Sequence, residues 1–183
     1  ATKLNSSALE SGAVIKGIFD YWDIGTAGAP SQHRVIYVGT TIKNDDADGS
    51  FSNLFTGLQP GGVPSFCILE DLLVISLDTS DTPKSWDGST AQALAGSPPN
   101  FAFCIEHKNK LWAAGVDANS SRLYYSVSLN GADWSSSGSG SIDISPRDGD
   151  RITGLISFKN ELWVFKGPYK GSIHRITGSA PTG

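Results

Sequence analysis

Methionine is missing from this 183-residue chain, cysteine occurs twice, and only 17% of residues are charged, below the ~25% of an average globular chain. Two cysteines are too few for a disulfide scaffold or a complete zinc site. No run of 18 apolar residues occurs, so no membrane-spanning helix is expected, and no charged-then-apolar leader opens the chain. The net charge of −4 and pI near 5.2 lack the basic stripe that nucleic acid demands. Gly-x-Ser-x-Gly, a phosphate loop and His-Glu-x-x-His are all absent, so no catalytic residue, cofactor or metal is expected. With no Met and an Ala1-Thr2-Lys3 start, the chain is expected to be a piece of something longer. Its Thr177-Gly-Ser-Ala-Pro-Thr-Gly183 end reads as a linker.

What is present is serine (25), glycine (21) and a 10% share of aromatics. That mixture suits short strands and frequent turns, and no segment has a convincing helical period. One strand phrase recurs. Phe103-Cys-Ile-Glu-His-Lys-Asn-Lys-Leu111-Trp112 is echoed by Leu155-Ile-Ser-Phe-Lys-Asn-Glu-Leu162-Trp163, with fainter copies at His33-Arg-Val35-Ile-Tyr-Val-Gly39 and Phe66-Cys-Ile-Leu-Glu-Asp-Leu72. Taking Val35, Leu72, Leu111 and Leu162 as equivalent gives intervals of 37, 39 and 51 residues. A period of this size made of short strands is what propeller blades look like in sequence. The expectation is one all-β, β-propeller-like domain or partial propeller over 1–183, in four blade-like repeats of antiparallel strands at about 13–58, 63–96, 100–145 and 151–178. Residues 13–24 read as the first strand and 34–42 as its hairpin partner. The Ser/Gly tract at 135–141 reads as a loop between strands of one blade.

Several segments suggest chemistry, each with a plainer reading beside it. Asn44-Asp-Asp46-Ala-Asp48-Gly49 matches the first half of a calcium loop, yet position twelve is Phe55 where an acid belongs, so a solvated turn is expected. Arg147-Asp148-Gly-Asp150-Arg151 could hold a carboxylate pair, but Asp-Gly is a turn dipeptide and surface ion pairs are the plainer reading. The turn Leu129-Asn-Gly131-Ala-Asp-Trp134 is similar to the Asp-box of sialidase-like propellers, with Leu129 where the defining Asp belongs. Sialidases also need three clustered arginines, and only Arg34, Arg122, Arg147, Arg151 and Arg175 exist. His33, His107 and His174 are scattered one per repeat. Cys67 and Cys104 hold similar places in neighbouring repeats; a bond between them needs adjacent strands, and free buried thiols are the expected state. Trp112 and Trp163 repeat in register and are expected to pack blades. Trp86 and Trp134 sit in turns beside Asp and are the candidate ligand contacts, although a ring folded over its own turn is the ordinary outcome.

The order of these phrases resembles a family of bacteriophage virion proteins. The matching text begins with Thr2-Lys-Leu-Asn-Ser-Ser-Ala-Leu9, Val14-Ile-Lys-Gly-Ile-Phe-Asp-Tyr-Trp22 and Val35-Ile-Tyr-Val-Gly39. It continues through Pro83-Lys-Ser-Trp86-Asp-Gly88, Lys108-Asn-Lys-Leu-Trp-Ala-Ala-Gly115, Ser121-Arg-Leu-Tyr-Tyr-Ser126, Asp148-Gly-Asp-Arg-Ile-Thr-Gly154 and Phe158-Lys-Asn-Glu-Leu-Trp-Val-Phe-Lys166. The resemblance implies a β-propeller-like domain in a tail-tube or nozzle component of a short-tailed phage, located in the virion. It implies homo-oligomer formation in the full-length protein and contacts with other tail proteins, with no catalytic residue and no specific nucleic-acid binding. An acidic surface suits a DNA conduit because it repels phosphate. The alternative is a carbohydrate- or receptor-binding propeller using Trp86 and Trp134. A glycoside hydrolase is third, and needs two carboxylates facing one cleft.

Overall fold

The computed structural model describes residues 9–24, 30–45, 50–78 and 81–178. Among them the chain forms fifteen strands and a single 3-10 turn at Asp117–Asn119. Sheet 1 holds β1 (Ile15–Asp23), β2 (Ser31–Val38), β3 (Thr41–Asp45) and β4 (Ser52–Phe55). Sheet 2 holds β5 (Ser65–Leu69), β6 (Leu72–Ser76), β7 (Lys84–Trp86) and β8 (Ala91–Ala93). Sheet 3 holds β9 (Phe103–His107), β10 (Lys110–Ala114), β11 (Arg122–Tyr125) and β12 (Gly140–Asp143). Sheet 4 holds β13 (Arg151–Phe158), β14 (Glu161–Gly167) and β15 (Ser172–Ile176). Each sheet is an antiparallel meander whose strands pair in chain order, and each lies within one interval marked by the repeats.

Turn chemistry fixes the register. In the two clearest repeats the central pair of a two-residue loop is Lys-Asn, with φ of 51° and 61° at Lys108 and Asn109 and 49° and 64° at Lys159 and Asn160. Positive φ at both positions is the type I′ geometry whose twist matches that of the flanking strands, and Asn tolerates it well. The expected single strand at 34–42 is corrected. Gly39, at φ 58°, turns the chain so that Val38 pairs with Thr41, which divides the segment between β2 and β3. The equivalence of Leu72 with Leu111 and Leu162 is corrected too. Leu72, Lys110 and Glu161 each open a second strand, opposite Leu69, His107 and Phe158. Leu73 is therefore the counterpart of Leu111 and Leu162, and a one-residue shift exchanges the two faces of a strand.

The sheets stack in chain order through three apolar cores. Each sheet has a near face, toward the preceding sheet, and a far face, toward the following one. The first core joins Tyr21, Val35 and Tyr37 on the far face of sheet 1 to Leu73, Ile75 and Trp86 on the near face of sheet 2. The second joins Cys67, Leu69 and Val74 to Phe101, Cys104, Leu111 and Ala113. The third joins Trp112, Ala114 and Leu123 to Ile152, Leu162 and Val164. Because sheets 2 and 3 are covered on both sides, their middle strands read as continuous apolar runs without alternation. The leading strands lie together: β5 contacts β9, and β9 contacts β13. At the first junction Phe19 stacks on Phe66 with ring centres 5.1 Å apart. Gly17 lets β1 approach there, since a Cβ at this position would overlap Pro64.

Candidate functional site

The two outermost faces of the stack differ from the six that form the cores. On the far faces, Val74, Trp112 and Trp163 are each the third residue of their sheet's second strand and so occupy equivalent positions by strand register. The first two are fully buried under the next sheet, whereas Trp163 is half-buried with no further sheet above it among the described residues. Ile156 lies opposite Trp163 on β13 and Arg175 opposite it on β15, while Phe165 pairs with Ile173. These residues share one face, on which Ile173 is 61% and Ile156 46% exposed. The indole N–H of Trp112 donates to the His107 carbonyl at 3.0 Å. That of Trp163 has no hydrogen-bond partner among the described residues. At the other end, the near face of sheet 1 is exposed only along β1, at Ile18 (58%) and Trp22 (53%), while Ile36 and Val38 of β2 on the same face are buried. Asp20 stands between them, paired across the strand with Arg34.

Sheet 4 shows what a filled face looks like on its other side. Lys166, on the same face as Leu162 and Val164, is buried. Its Nζ donates to the carbonyls of Ile144 (2.7 Å) and Ser145 (2.9 Å), to Ser121 Oγ (3.1 Å) and to both Asp148 oxygens (2.8 and 2.7 Å). The hydrogen bond from Lys166 holds the Asp148 carboxyl below its ordinary value. Asp150 is also buried, and its carboxylate accepts the backbone N–H groups of Tyr169 (2.7 Å), Lys170 (3.1 Å) and Gly171 (2.9 Å). The charge-dense segment Arg147–Arg151 thus pins the loops beside sheet 4. Its two carboxylates are occupied by a buried ammonium and by a backbone turn.

Two clefts lie between sheets. One, of about 510 Å³, opens at the leading strands of sheets 2, 3 and 4, where Ser65, Asp78, Phe103, Asp117, Arg151 and Thr153 line it. The other, of about 450 Å³, is acidic, with Asp23, Glu70, Asp71 and Asp87 around it. Asp87 is held low, first by the Thr90 N–H at 2.6 Å and also by the N–H and hydroxyl of Ser89. Asp71 accepts the Ile24 N–H at 2.9 Å, and its carbonyl accepts the Tyr21 hydroxyl at 2.5 Å. Burial, and then Asp71, Asp23 and Asp87, push the Tyr21 phenol far above its usual range. Among the described residues no three His, Cys, Asp or Glu side chains converge on a point where a metal ion could sit.

Neither tryptophan singled out for ligand contact stands free. Trp86 is 3% exposed, its ring 4.7 Å from His33 and 5.3 Å from Tyr21 at the first junction. The expectation of an exposed stacking ring there is corrected: β7 pairs with β6 and turns the indole into the core. Trp134 is half-buried over its own turn, donating to the Gly131 carbonyl at 2.9 Å with its ring 5.5 Å from Phe101. The turn resembling an Asp-box is held otherwise than by an Asp at Leu129. Asp133 accepts the N–H groups of Ser135 (3.1 Å) and Ser136 (3.0 Å), and Asn130 accepts that of Ala132 (3.1 Å). In the half-calcium motif, Asn44 and Asp45 are buried β3 residues and Asp45 pairs with Arg34 at 3.2 Å. Asp46, Asp48 and Gly49 lie outside the described residues.

Cys67 and Cys104 are free and buried on contacting strands; burial, and after it the neighbouring Cys104 thiol, raise the Cys67 thiol well above its ordinary value. Such a thiol is a poor nucleophile and packs as a small hydrophobe. His33 is in the first core, and His174 meets Ser172 Oγ at 2.9 Å. The pair that sequence reading missed is His107 Nδ1 with Ser157 Oγ, 2.8 Å apart across the third junction. Burial lowers the His107 pKa, and its Nε2 has no hydrogen-bond partner among the described residues. With no carboxylate orienting the ring among the described residues, the pair lacks the third member of a nucleophilic triad there and ties the two sheets together. No motif marks it in the sequence, because Ser157 follows His107 by 50 residues. No protein-family profile matches the chain, and no curated protein matches its sequence.

Proposed function

We propose that this chain is a structural protein of a bacteriophage virion, a tail-tube or nozzle-like component built from propeller-like repeats and acting through protein–protein contacts. The observation that carries the structural part is the apolar far face of sheet 4, left open at one end of the stack among the described residues. Exposed apolar patches of this kind serve contact with other proteins. The propeller-like reading draws on the order of the sheets and on the adjacent leading strands β5, β9 and β13. The phage assignment draws on the collinear phrases from Thr2-Lys3-Leu4 to Phe158-Lys159-Asn160. Labelling purified short-tailed virions with a gold-conjugated antibody raised against the chain tests this. Gold on the tail is the expected result, and its absence from virions whose genome encodes the chain overturns the reading.

The second reading, a carbohydrate- or receptor-binding module, loses Trp86 to the first core. It keeps one feature in its favour: Tyr169, in the loop capped by Asp150, is 81% exposed. A glycan array separates the two. Binding that Tyr169→Ala abolishes would favour the lectin, and a blank array favours the structural component.

A further inference from the structure

We infer that His107 makes the junction between sheets 3 and 4 acid-sensitive, so that protonation of its ring loosens sheet 4 from the stack. The device lies within one copy of the chain and does not depend on the tail assignment.

Strand register puts this residue in the seam. His107 closes β9 opposite Lys110, as Leu69 closes β5 opposite Leu72. At the second junction Leu69 is part of the core, so an apolar side chain fills the site. At the third junction a titratable ring fills the equivalent site, and His107 is 2% exposed. Its Nδ1 lies 2.8 Å from Ser157 Oγ on β13, a bond that joins the two sheets. The His107 carbonyl accepts the Trp112 indole N–H at 3.0 Å, and the Trp112 ring stands edge-on to the imidazole with centres 6.5 Å apart.

The other ring nitrogen decides what acid does. Nε2 is buried with no hydrogen-bond partner among the described residues. A neutral ring with its proton on Nδ1, donated to Ser157, leaves Nε2 as a bare acceptor. A second proton makes Nε2 a charged donor with nothing to accept from it, which is the costlier buried state. Burial accordingly holds the His107 pKa below its ordinary 6.5, and Lys108 acts the same way. Glu106 opposes them, yet its carboxylate is engaged by the Asn109 N–H at 2.8 Å. Lys110 stands directly across on β10, its ammonium donating to the Ser126 and Gly138 carbonyls, so a protonated His107 sets two cations opposite each other. From sheet 4, β13 presents Ser157. Lys159 in the following turn lies over the Phe158 ring, and Glu161 of β14 meets Arg175.

The sign follows from these contacts. As pH falls, the unfolded chain takes up this proton near 6.5 and the folded chain only at a lower pH. The stabilisation is full above about 6.5 and is lost between there and the folded value. The described core packs sheet 4 on sheet 3 alone, so the ring reaches water by the movement of that one sheet.

Amide hydrogen exchange of the unmodified chain from about pH 7.5 to about pH 5.5, corrected for the intrinsic pH dependence of exchange, tests this. Protection of β13, β14 and β15 should fall below pH 6.5, by up to about tenfold per pH unit, the limit for one proton. Strands β5 and β6, whose junction with sheet 3 holds no histidine, should keep their protection. In His107→Asn, which keeps a donor at the Nδ1 position and does not titrate, the fall in sheet 4 should vanish. Unchanged protection of sheet 4 in the unmodified chain overturns the inference. So does a fall of equal size in all four sheets, or one that survives in His107→Asn. Should the variant misfold, nuclear magnetic resonance of the unmodified chain decides the matter through the His107 ring signal, known by its contact with Trp112. A titration midpoint below 6.5 is expected, and a midpoint at or above 6.5 overturns the inference.

Discussion

Trp112 and Trp163 are each the third residue of the second strand of the same hairpin phrase, after the same Lys-Asn turn, and their surroundings differ completely. Trp112 is sealed between sheets 3 and 4, its ring 5.1 Å from Tyr125 and its N–H bonded to His107. Trp163 keeps the same position on its strand with no sheet above it and no acceptor for its N–H among the described residues. Local sequence therefore sets strand, turn and register, while the neighbouring sheet decides whether a side chain is core or contact surface. Sheet 4 makes the same point across its own thickness. One side is filled so completely that it buries a lysine, and the other exposes Ile156, Phe165 and Ile173.

The sharpest way to break this comparison is to cut the two rings back. Trp112→Ala removes a fully buried indole and should cost about 3–5 kcal/mol. Trp163→Ala should cost about 1 kcal/mol or less in dilute, monomeric protein. Urea melts of the two variants check this, and equal losses would erase the distinction. Lys166→Met comes next. It leaves two carbonyls and Asp148 without their donor, and a loss of about 3 kcal/mol is expected from urea melts. Asp150→Ala should cost about 1–2 kcal/mol, as loss of a helix cap does, because three backbone N–H groups lose their acceptor. Faster amide exchange confined to residues 169–171 would locate that effect.

The smallest effect is a pH dependence. The folded state holds Asp148 below its ordinary value of 3.8, so the folded chain binds fewer protons than the unfolded one as pH falls through that region. The stabilisation is full above about 3.8 and is lost as pH drops toward the lower folded value. Asp87, Asp133 and Asp143 are lowered as well and act in the same direction. Urea midpoints measured downward from about pH 5 should fall in the unmodified chain and fall less steeply in Lys166→Met, which lacks the Asp148 share.

The two clearest hairpins were legible because their turns carry residues suited to positive φ and Leu-Trp follows the first residue of each second strand. The faces were not. Sheets 2 and 3 are covered on both sides, so Leu72-Leu-Val-Ile75 gives no alternation by which to orient it, and Leu72 was aligned where Leu73 belongs. Trp86 reads as exposed because Asp87 and Gly88 follow it. Its burial depends on Tyr21 and His33, more than 50 residues earlier, a distance over which no local pattern speaks. Lys166 misleads in the same way, since its five oxygen partners come from loops 18 to 45 residues away. The open face of sheet 4 was hidden for a simpler reason: an apolar strand facing solvent has the same composition as one facing a neighbour.

Hydroxyl-radical footprinting of the unmodified chain in dilute solution tests the account most directly, because it needs no variant to fold. The account predicts rapid labelling of Trp22, Trp163 and Phe165, with Trp112 and Trp86 protected. Labelling of Trp112 as fast as that of Trp163 would contradict it, since the two rings would then share one environment and the stack would have no filled and open faces to distinguish.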